Sequence, residues 1–157
     1  MNIIHESITE SIETKRRLLD ECSADIQACA DMIIDAYRRS GKLLLAGNGG
    51  SAADAQHIAA ELVVRFRGSV ERRALPAIAL SVDPSMMSAG GNDYGFEETY
   101  ARLVEAYALP TDVLIAITTS GTSKNIIHAV SEAKRKGIRV IGLLGCGGGT
   151  LAPLCDA

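Results

Sequence analysis

From Lys42 onward, the sequence alternates short apolar runs with stretches of helical periodicity. The apolar runs predict four strands, at 42–47, 75–81, 112–118 and 138–144. Each run is apolar throughout, which is typical of parallel strands covered on both faces. The intervening stretches predict helices, at 51–66, about 85–90, 96–107 and 123–136. Strands that alternate with helices indicate an α/β fold, a three-layer doubly wound parallel sheet.

A long helical region precedes the first strand. Apolar residues recur near the 3.6-residue period from position 6 to 40, which predicts N-terminal helices within residues 1–41. Ser23 and Asp25 offer an N-cap, so one long helix and two helices with a break there both remain open. Gly41 is expected to end the region as a C′ glycine.

Two polar turns follow predicted strands, and each leads into a predicted helix. The first covers residues 47–51 and the second covers residues 118–123. Glycine lets a backbone approach a ligand closely, hydroxyl groups donate hydrogen bonds, and the free N–H groups of a helix start carry partial positive charge. In a doubly wound sheet, ligands bind at the carboxyl ends of the strands, where both turns fall. The two turns therefore predict a phosphorylated ligand.

Several polar residues around these turns are candidates for ligand contacts. Ser51 opens the helix after the first turn, where a plain N-cap is the alternative role. Asn92 and Asp93 either reach the same site or form only a turn. Arg65 lies eight residues past His57 and either contacts an anionic substrate or lies on the surface. The second turn supplies a cluster of hydroxyl groups, from Thr118, Thr119, Ser120 and Ser123.

His57 and Glu61 are the candidates for chemistry. Their i, i+4 spacing places them on one helix face. An imidazole nitrogen and a carboxylate oxygen at this spacing can share one zinc ion. The same pair also suits proton transfer, with Glu61 as a base near a carbonyl-bearing substrate. A solvated His–Glu pair on the helix surface remains the alternative.

The bulk composition excludes several classes of protein. A chain of 157 residues forms one domain, 1–157, and its net charge of -3 gives no basic footprint for nucleic acid. No apolar run approaches the ~20 residues of a membrane span, and the polar N-terminus lacks a signal-peptide core. The four cysteines form no C-x-x-C pair and are expected to be free thiols. We therefore expect a cytoplasmic protein without a membrane or nucleic-acid partner.

Three segments together carry a resemblance to a known family. Residues 46–62, 91–96 and 118–123 resemble, in order and spacing, the motifs of the phosphoheptose isomerases of the sugar isomerase (SIS) domain family. The resemblance covers essentially the whole chain and implies a flavodoxin-like SIS domain with N-terminal helices. The implied reaction converts D-sedoheptulose 7-phosphate to D-glycero-D-manno-heptose 7-phosphate through an enediol. It would supply heptose for bacterial surface glycans such as lipopolysaccharide.

The resemblance also implies roles for individual residues. Zinc, one ion per subunit, would be bound by His57 and Glu61, which are also the catalytic candidates, with Glu61 touching the substrate. The family assembles as a homotetramer with active sites between subunits. The remaining implied contacts are with the sugar phosphate, from Asn48, Gly49, Gly50, Ser51, Asn92, Asp93, Thr118, Thr119, Ser120 and Ser123.

The sequence departs from the family pattern, and other functions remain open. The family normally carries a Gln and a His on a C-terminal helix as further metal ligands, and we expect the C-terminal strand and helix to be missing here. Thr118 stands where many relatives have Ser. The alternatives are a SIS protein that binds the bacterial replication initiator, a sugar-phosphate-binding regulator and a different aldose–ketose isomerase.

Overall fold

The computed structural model describes residues 2–157, which form one four-stranded sheet flanked by helices. The strands are β1 (Leu43–Gly47), β2 (Ala77–Ala79), β3 (Val113–Thr118) and β4 (Arg139–Leu144). The helices are α1 (Ile3–Arg38), α2 (Gly50–Val63), α3 (Pro84–Asp93), α4 (Phe96–Tyr107) and α5 (Lys124–Arg135). All strand pairs are parallel, in the order β2-β1-β3-β4. The predicted α/β doubly wound fold is confirmed.

The two faces of the sheet carry separate apolar cores, which explains the continuous apolar runs. Every residue of β1 and β3 is buried. Alternate residues of β1 point to opposite faces, so that Leu44 packs with α4 and α5 whereas Leu45 packs with α2 and the end of α1. The sheet is thus the middle of three layers, and its carboxyl edge is left to the loops.

Helix α1 is continuous, so a break at residues 23–25 does not occur. The Ser23 hydroxyl donates to the carbonyl oxygen of Leu19 at 2.5 Å, the helix-interior alternative to capping. The helix ends in a Schellman motif, in which Gly41 N–H donates to the Ala36 oxygen at 2.8 Å. The positive φ of 61° falls on Ser40, so Gly41 as C′ residue was wrong by one position. Glycine is required at 41 because a Cβ there would overlap the carbonyl of Thr111.

The N-terminal part of α1 stands away from the sheet. All of residues 2–21 are exposed, and packing against the sheet becomes substantial only from Cys29 onward. This free part nevertheless carries large apolar side chains, at Ile3, Ile4, Ile8, Ile12, Leu18 and Leu19. Within residues 2–157, no helix has the combination of length and apolarity that would cross a membrane.

Two predicted boundaries near candidate residues are wrong. Helix α2 ends at Val63, three residues earlier than predicted, so Arg65 lies beyond it and does not share its helical face with His57. Helix α3 is longer than predicted and includes Asn92 and Asp93 in its last turn, where a turn was the alternative. The start of α3 is confirmed, because the Asp83 carboxylate accepts the Met86 N–H at 2.9 Å.

The last residues run beside the free edge of β4. Asp156 N–H donates to the Val140 oxygen at 2.8 Å, and Gly142 N–H donates to the Ala157 oxygen at 2.8 Å. The Asp156 carboxylate also accepts from Lys134 Nζ at 2.6 Å and from Val140 N–H at 2.8 Å. Partial burial acts to raise the pKa of Asp156, but these two hydrogen bonds and the positive charges of Lys134 and Arg139 together outweigh it, and the pKa lies below its usual value.

Tyr37, where α1 meets the sheet, is expected to make the free energy of unfolding fall at alkaline pH. Burial raises the pKa of Tyr37 to about 12, against an ordinary value of about 10. Between about pH 10 and pH 12, the folded protein therefore still holds the Tyr37 proton, whereas the unfolded chain has lost it. The resulting contribution to the free energy of unfolding is fully present below about pH 10 and is lost as the pH rises to about 12. We expect Tyr37→Phe to flatten the fall in unfolding free energy there, measured by urea titration at several pH values. An unchanged slope in Tyr37→Phe, matching the control Tyr94→Phe, would contradict this.

Candidate active site

The first turn delivers the start of α2 to the carboxyl edge of the sheet. Gly49, with φ of 54°, is the N-cap, so Ser51 lies inside the first helical turn and is not the cap. Gly47 is required because a Cβ there would lie 2.5 Å from the carbonyl oxygen of Ser51. The helix start at Gly50 carries the partial positive charge that favours anions.

The second turn gathers hydroxyl groups at the end of β3. Thr118 Oγ1 lies 3.4 Å from Ser120 Oγ and 3.2 Å from Ser123 Oγ. Ser123 is also the N-cap of α5. The turn therefore combines three neighbouring hydroxyls with a helix N-terminus, which suits a phosphate group.

A glycine turn after β4, residues 145–149, packs against the second turn. Gly145 N–H donates to the Thr118 oxygen at 3.1 Å, and Leu151 N–H donates to the Gly121 oxygen at 3.2 Å. Gly121 has φ of 66°, and a Cβ there would overlap the carbonyl of Gly148. Backbone packs on backbone at this point, so the second turn has a fixed shape.

The first turn is held by a tyrosine that the sequence did not single out. Tyr100 in α4 is 1% exposed, and its hydroxyl donates to the carbonyl oxygen of Gly47 at 2.6 Å. Burial raises the pKa of Tyr100, so the hydroxyl keeps its proton and remains a donor.

Tyr100→Phe is expected to destabilise the protein by about 1–2 kcal/mol, because it leaves the Gly47 oxygen without this donor in a buried position. The free energy of unfolding from urea titration is the measurement. Tyr107→Phe is the control, since its hydroxyl donates to Met86 Sδ at the surface. Equal unfolding free energies for the two variants would show that the Tyr100 hydroxyl contributes nothing.

A cavity of about 660 Å³ opens beside the two turns. Ser51, Thr118 and Thr119 line its polar side. Its other walls come from α1, α2, β4 and the last residues and are mainly apolar, but they also carry the carboxylates of Asp25, Asp54 and Asp156. The apolar lining comes from Leu18, Cys22, Ile26, Cys29, Leu143 and Leu144. The structure therefore brings residues from both predicted turns to one concave space.

His57 and Glu61 are neighbours, but they line a different cavity. His57 Nε2 lies 3.3 Å from Glu61 Oε1, and the two side chains are 74% and 31% exposed. Their cavity, of about 460 Å³, also touches Leu43 and Leu75, near the amino ends of the strands. Helix α2 runs away from the carboxyl edge, and Glu61 lies about 15 Å along it from Ser51. Among residues 2–157, the pair and the hydroxyl turn thus line different cavities.

The other candidates lie outside both of these groups. Asn92 Nδ2 donates to Asp93 Oδ1 at 2.7 Å, on an exposed surface at the end of α3. Arg65 is directed to Glu71, with 3.4 Å between Nη1 and Oε2. The structure supports no contact between these three residues and the hydroxyl cluster of the second turn.

Comparison with known proteins identifies the family. Residues 8–145 match the SIS domain. The chain belongs to the SIS domain family. The motifs around both turns of this SIS domain fall within the matched segment.

Several relatives of this SIS domain are named phosphoheptose isomerases. It is 52% identical over 154 residues to the phosphoheptose isomerase of Nitratiruptor sp., a match that covers 98% of this chain and 81% of the relative. The phosphoheptose isomerase of Chlorobaculum parvum is 49% identical over 154 residues, with 98% and 74% covered. A solved phosphoheptose isomerase from Francisella tularensis superposes with a TM-score of 0.92 at 37% identity, covering 98% of this chain and 80% of that one.

His57 and Glu61 were expected to bind zinc, and the number of nearby donor groups decides whether they form a complete site. Within the part of the SIS domain that the structure describes, no three His, Cys, Asp or Glu side chains are placed to hold a metal ion. Catalytic zinc usually takes three protein ligands, and this pair offers two. The described residues therefore do not make a complete zinc site by themselves.

Two residues at the turns of this SIS domain were missed by sequence reasoning. Tyr100 contacts a residue 53 positions away, and Asn125 contacts Asn48 across 77 positions. Tyr100 gives no signal beyond an aromatic residue in an amphipathic helix. Asn125 does give one, because it follows the second turn by two positions.

Proposed function

We infer that this SIS domain is an aldose–ketose isomerase that converts sedoheptulose 7-phosphate to D-glycero-D-manno-heptose 7-phosphate. The observation that carries this function is the near 50% identity to phosphoheptose isomerases along 98% of the chain. One cavity that is lined by Ser51 of the first turn and by Thr118 and Thr119 of the second agrees with it. The same turns are compatible with other sugar phosphates, so the relatives, and not the cavity, point to heptose.

The phosphate is proposed to bind at the two turns. The hydroxyls of Thr118, Ser120 and Ser123 donate hydrogen bonds to its oxygens, and the N-termini of α2 and α5 add favourable dipoles. Asn48, Gly49, Gly50, Ser51 and Thr119 complete the proposed contacts. These interactions hold the charged end of the substrate and leave its carbonyl end to the catalytic pair.

Glu61 is proposed as the base that moves a proton between C1 and C2. It takes the C1 proton of the ketose while the C2 carbonyl oxygen gains a proton, which gives the enediol. Return of a proton to C2 and loss of the O1 proton then gives the aldehyde at C1. His57, 3.3 Å from Glu61 Oε1, is proposed as the second acid–base group.

A homo-oligomer, proposed as a tetramer, would bring the two parts of the site together. The catalytic pair and the hydroxyl turn line separate cavities in one chain, so a second copy would place its pair over the turn of the first. The exposed apolar residues of α1 supply a surface for such assembly, because contiguous apolar patches on soluble proteins mark contacts. Arg65, Asn92 and Asp93 are proposed to reach the sugar in the same way.

One zinc ion per subunit is also proposed, although the described residues supply only part of its ligand set. His57 and Glu61 would supply two donors, and the rest of the set would come from outside the described cluster. Zinc content of the purified protein, compared with a His57→Ala variant, tests this directly. The cytoplasmic location and the supply of heptose for lipopolysaccharide are proposals that rest on the family resemblance.

Turnover in deuterium oxide tests the function and the enediol together. The protein is incubated with sedoheptulose 7-phosphate, with and without added zinc, and products are followed by NMR. We expect the aldose phosphate to form with deuterium at C2, because the abstracted proton exchanges with solvent. Tight binding of the sugar phosphate with no conversion under either condition would favour a sugar-phosphate-binding regulator instead.

A further inference from the structure

One buried side chain, Asn125, is hydrogen-bonded to the first turn from the helix that follows the second. It lies near the start of α5 and is 4% exposed. Asn48 Nδ2 donates to Asn125 Oδ1 at 2.9 Å, and Asn125 Nδ2 donates to Asn48 Oδ1 at 2.8 Å. The first turn is thus joined to the second by a reciprocal amide pair.

This pair holds together two helix ends of the same sign. Asn48 directly precedes the N-cap of α2, and Asn125 follows the N-cap of α5 by two residues. Both N-termini carry partial positive charge, so without an anion their dipoles oppose close approach. An amide pair adds no charge of its own and leaves the combined positive field available for a phosphate.

The pair also limits what Asn48 can do. A primary amide has two N–H donors and an oxygen with two lone pairs. Asn48 spends one donor and one acceptor position on Asn125, so its orientation is set by α5 and not by a ligand.

We propose that Asn125 is a positioning residue that keeps the two turns in register for one phosphate group. It acts through Asn48 and needs no contact with the substrate. The proposal rests on the proposed function only in taking a phosphate group as the ligand. Loss of the amide pair lets the first turn move, which weakens phosphate binding and raises KM more than it lowers kcat.

Phosphate binding by folded variants tests the proposal. Inorganic phosphate is titrated calorimetrically into the unmodified protein, into Asn125→Leu, and into Asn125→Ser in case Asn125→Leu does not fold. Asp112→Asn is the control, because Asp112 is also buried but accepts its hydrogen bonds from Lys42 and Leu109 near the amino ends of the strands. We expect Asn125 variants to raise the phosphate dissociation constant at least tenfold and the sugar-phosphate KM in parallel.

The outcomes separate this proposal from the proposed function. A dissociation constant within twofold of the original, with a lowered Tm as in Asp112→Asn, would show a purely structural residue and overturn the proposal. Absence of phosphate binding by the unmodified protein would overturn it as well. Weakened phosphate binding in a protein that never isomerises the heptose phosphate would support the positioning role while the isomerase function failed.

Discussion

Glu61→Gln is expected to lower kcat for sedoheptulose 7-phosphate by about 10²- to 10⁴-fold, the range that one general base contributes. Glutamine keeps the size and the hydrogen-bonding shape of glutamate but cannot accept the C1 proton. Substrate binding is expected to persist, because the proposed phosphate contacts lie at the two turns. Steady-state kinetics and direct sugar-phosphate titration on the same preparation give the two quantities.

Glu105→Gln is the matched control for this change. Glu105 is an exposed helical glutamate in α4 whose partner is Arg102, at 3.5 Å, outside both candidate cavities. Its loss is expected to leave kcat within twofold. Full activity in Glu61→Gln would remove Glu61 from the mechanism, and an equal loss in both variants would point to a general effect of lost charge.

Gly121→Ala is expected to destabilise the protein by about 2–5 kcal/mol and to abolish phosphate binding. Two costs add here. The φ of 66° is unfavourable for any residue with a Cβ, and that Cβ would overlap the carbonyl of Gly148. Relief of the overlap requires the second turn and the glycine turn 145–149 to separate, which disperses the hydroxyl cluster. Urea unfolding and phosphate titration measure the two effects.

Gly137→Ala separates the two costs. Gly137 has nearly the same backbone conformation, with φ of 71°, but a Cβ there would meet nothing within 4 Å. It should therefore lose about 1 kcal/mol, from conformation alone. Similar losses for the two variants would mean that the contact between Gly121 and Gly148 is not tight in solution.

The layered fold was predictable because its signals are local. Continuous apolar runs predicted each strand, and α3 begins at Pro84, within one residue of the predicted start. Strand β2 is shorter than predicted and ends at Ala79. Leu80 is buried and its N–H donates to the Leu45 carbonyl oxygen, but its backbone has left regular strand geometry. The continuity of α1 was not predictable, because a serine can cap a new helix or bond back within the old one, as Ser23 does.

The candidate site was predictable in its parts but not in its assembly. Helical spacing showed that His57 and Glu61 are neighbours, and the structure confirms that they are in contact. Spacing along α2 does not show how far His57 and Glu61 lie from the carboxyl edge of the sheet. That distance separates the pair from the second polar turn. Asn125 and Tyr100 act over long sequence separations, where no local pattern exists.

The exposed N-terminal part of α1 has a consequence for the stability of the helix itself. Helical stability in proteins comes mostly from tertiary packing, which the exposed residues 2–21 largely lack within one chain. Surface pairs such as Arg17 with Glu21, at 3.1 Å, add only a few tenths of a kcal/mol. Ordering of this segment therefore depends on what covers its isoleucines and leucines. If another copy covers them, helix content and thermal midpoint rise with protein concentration, and dilution frays the N-terminus before the sheet unfolds.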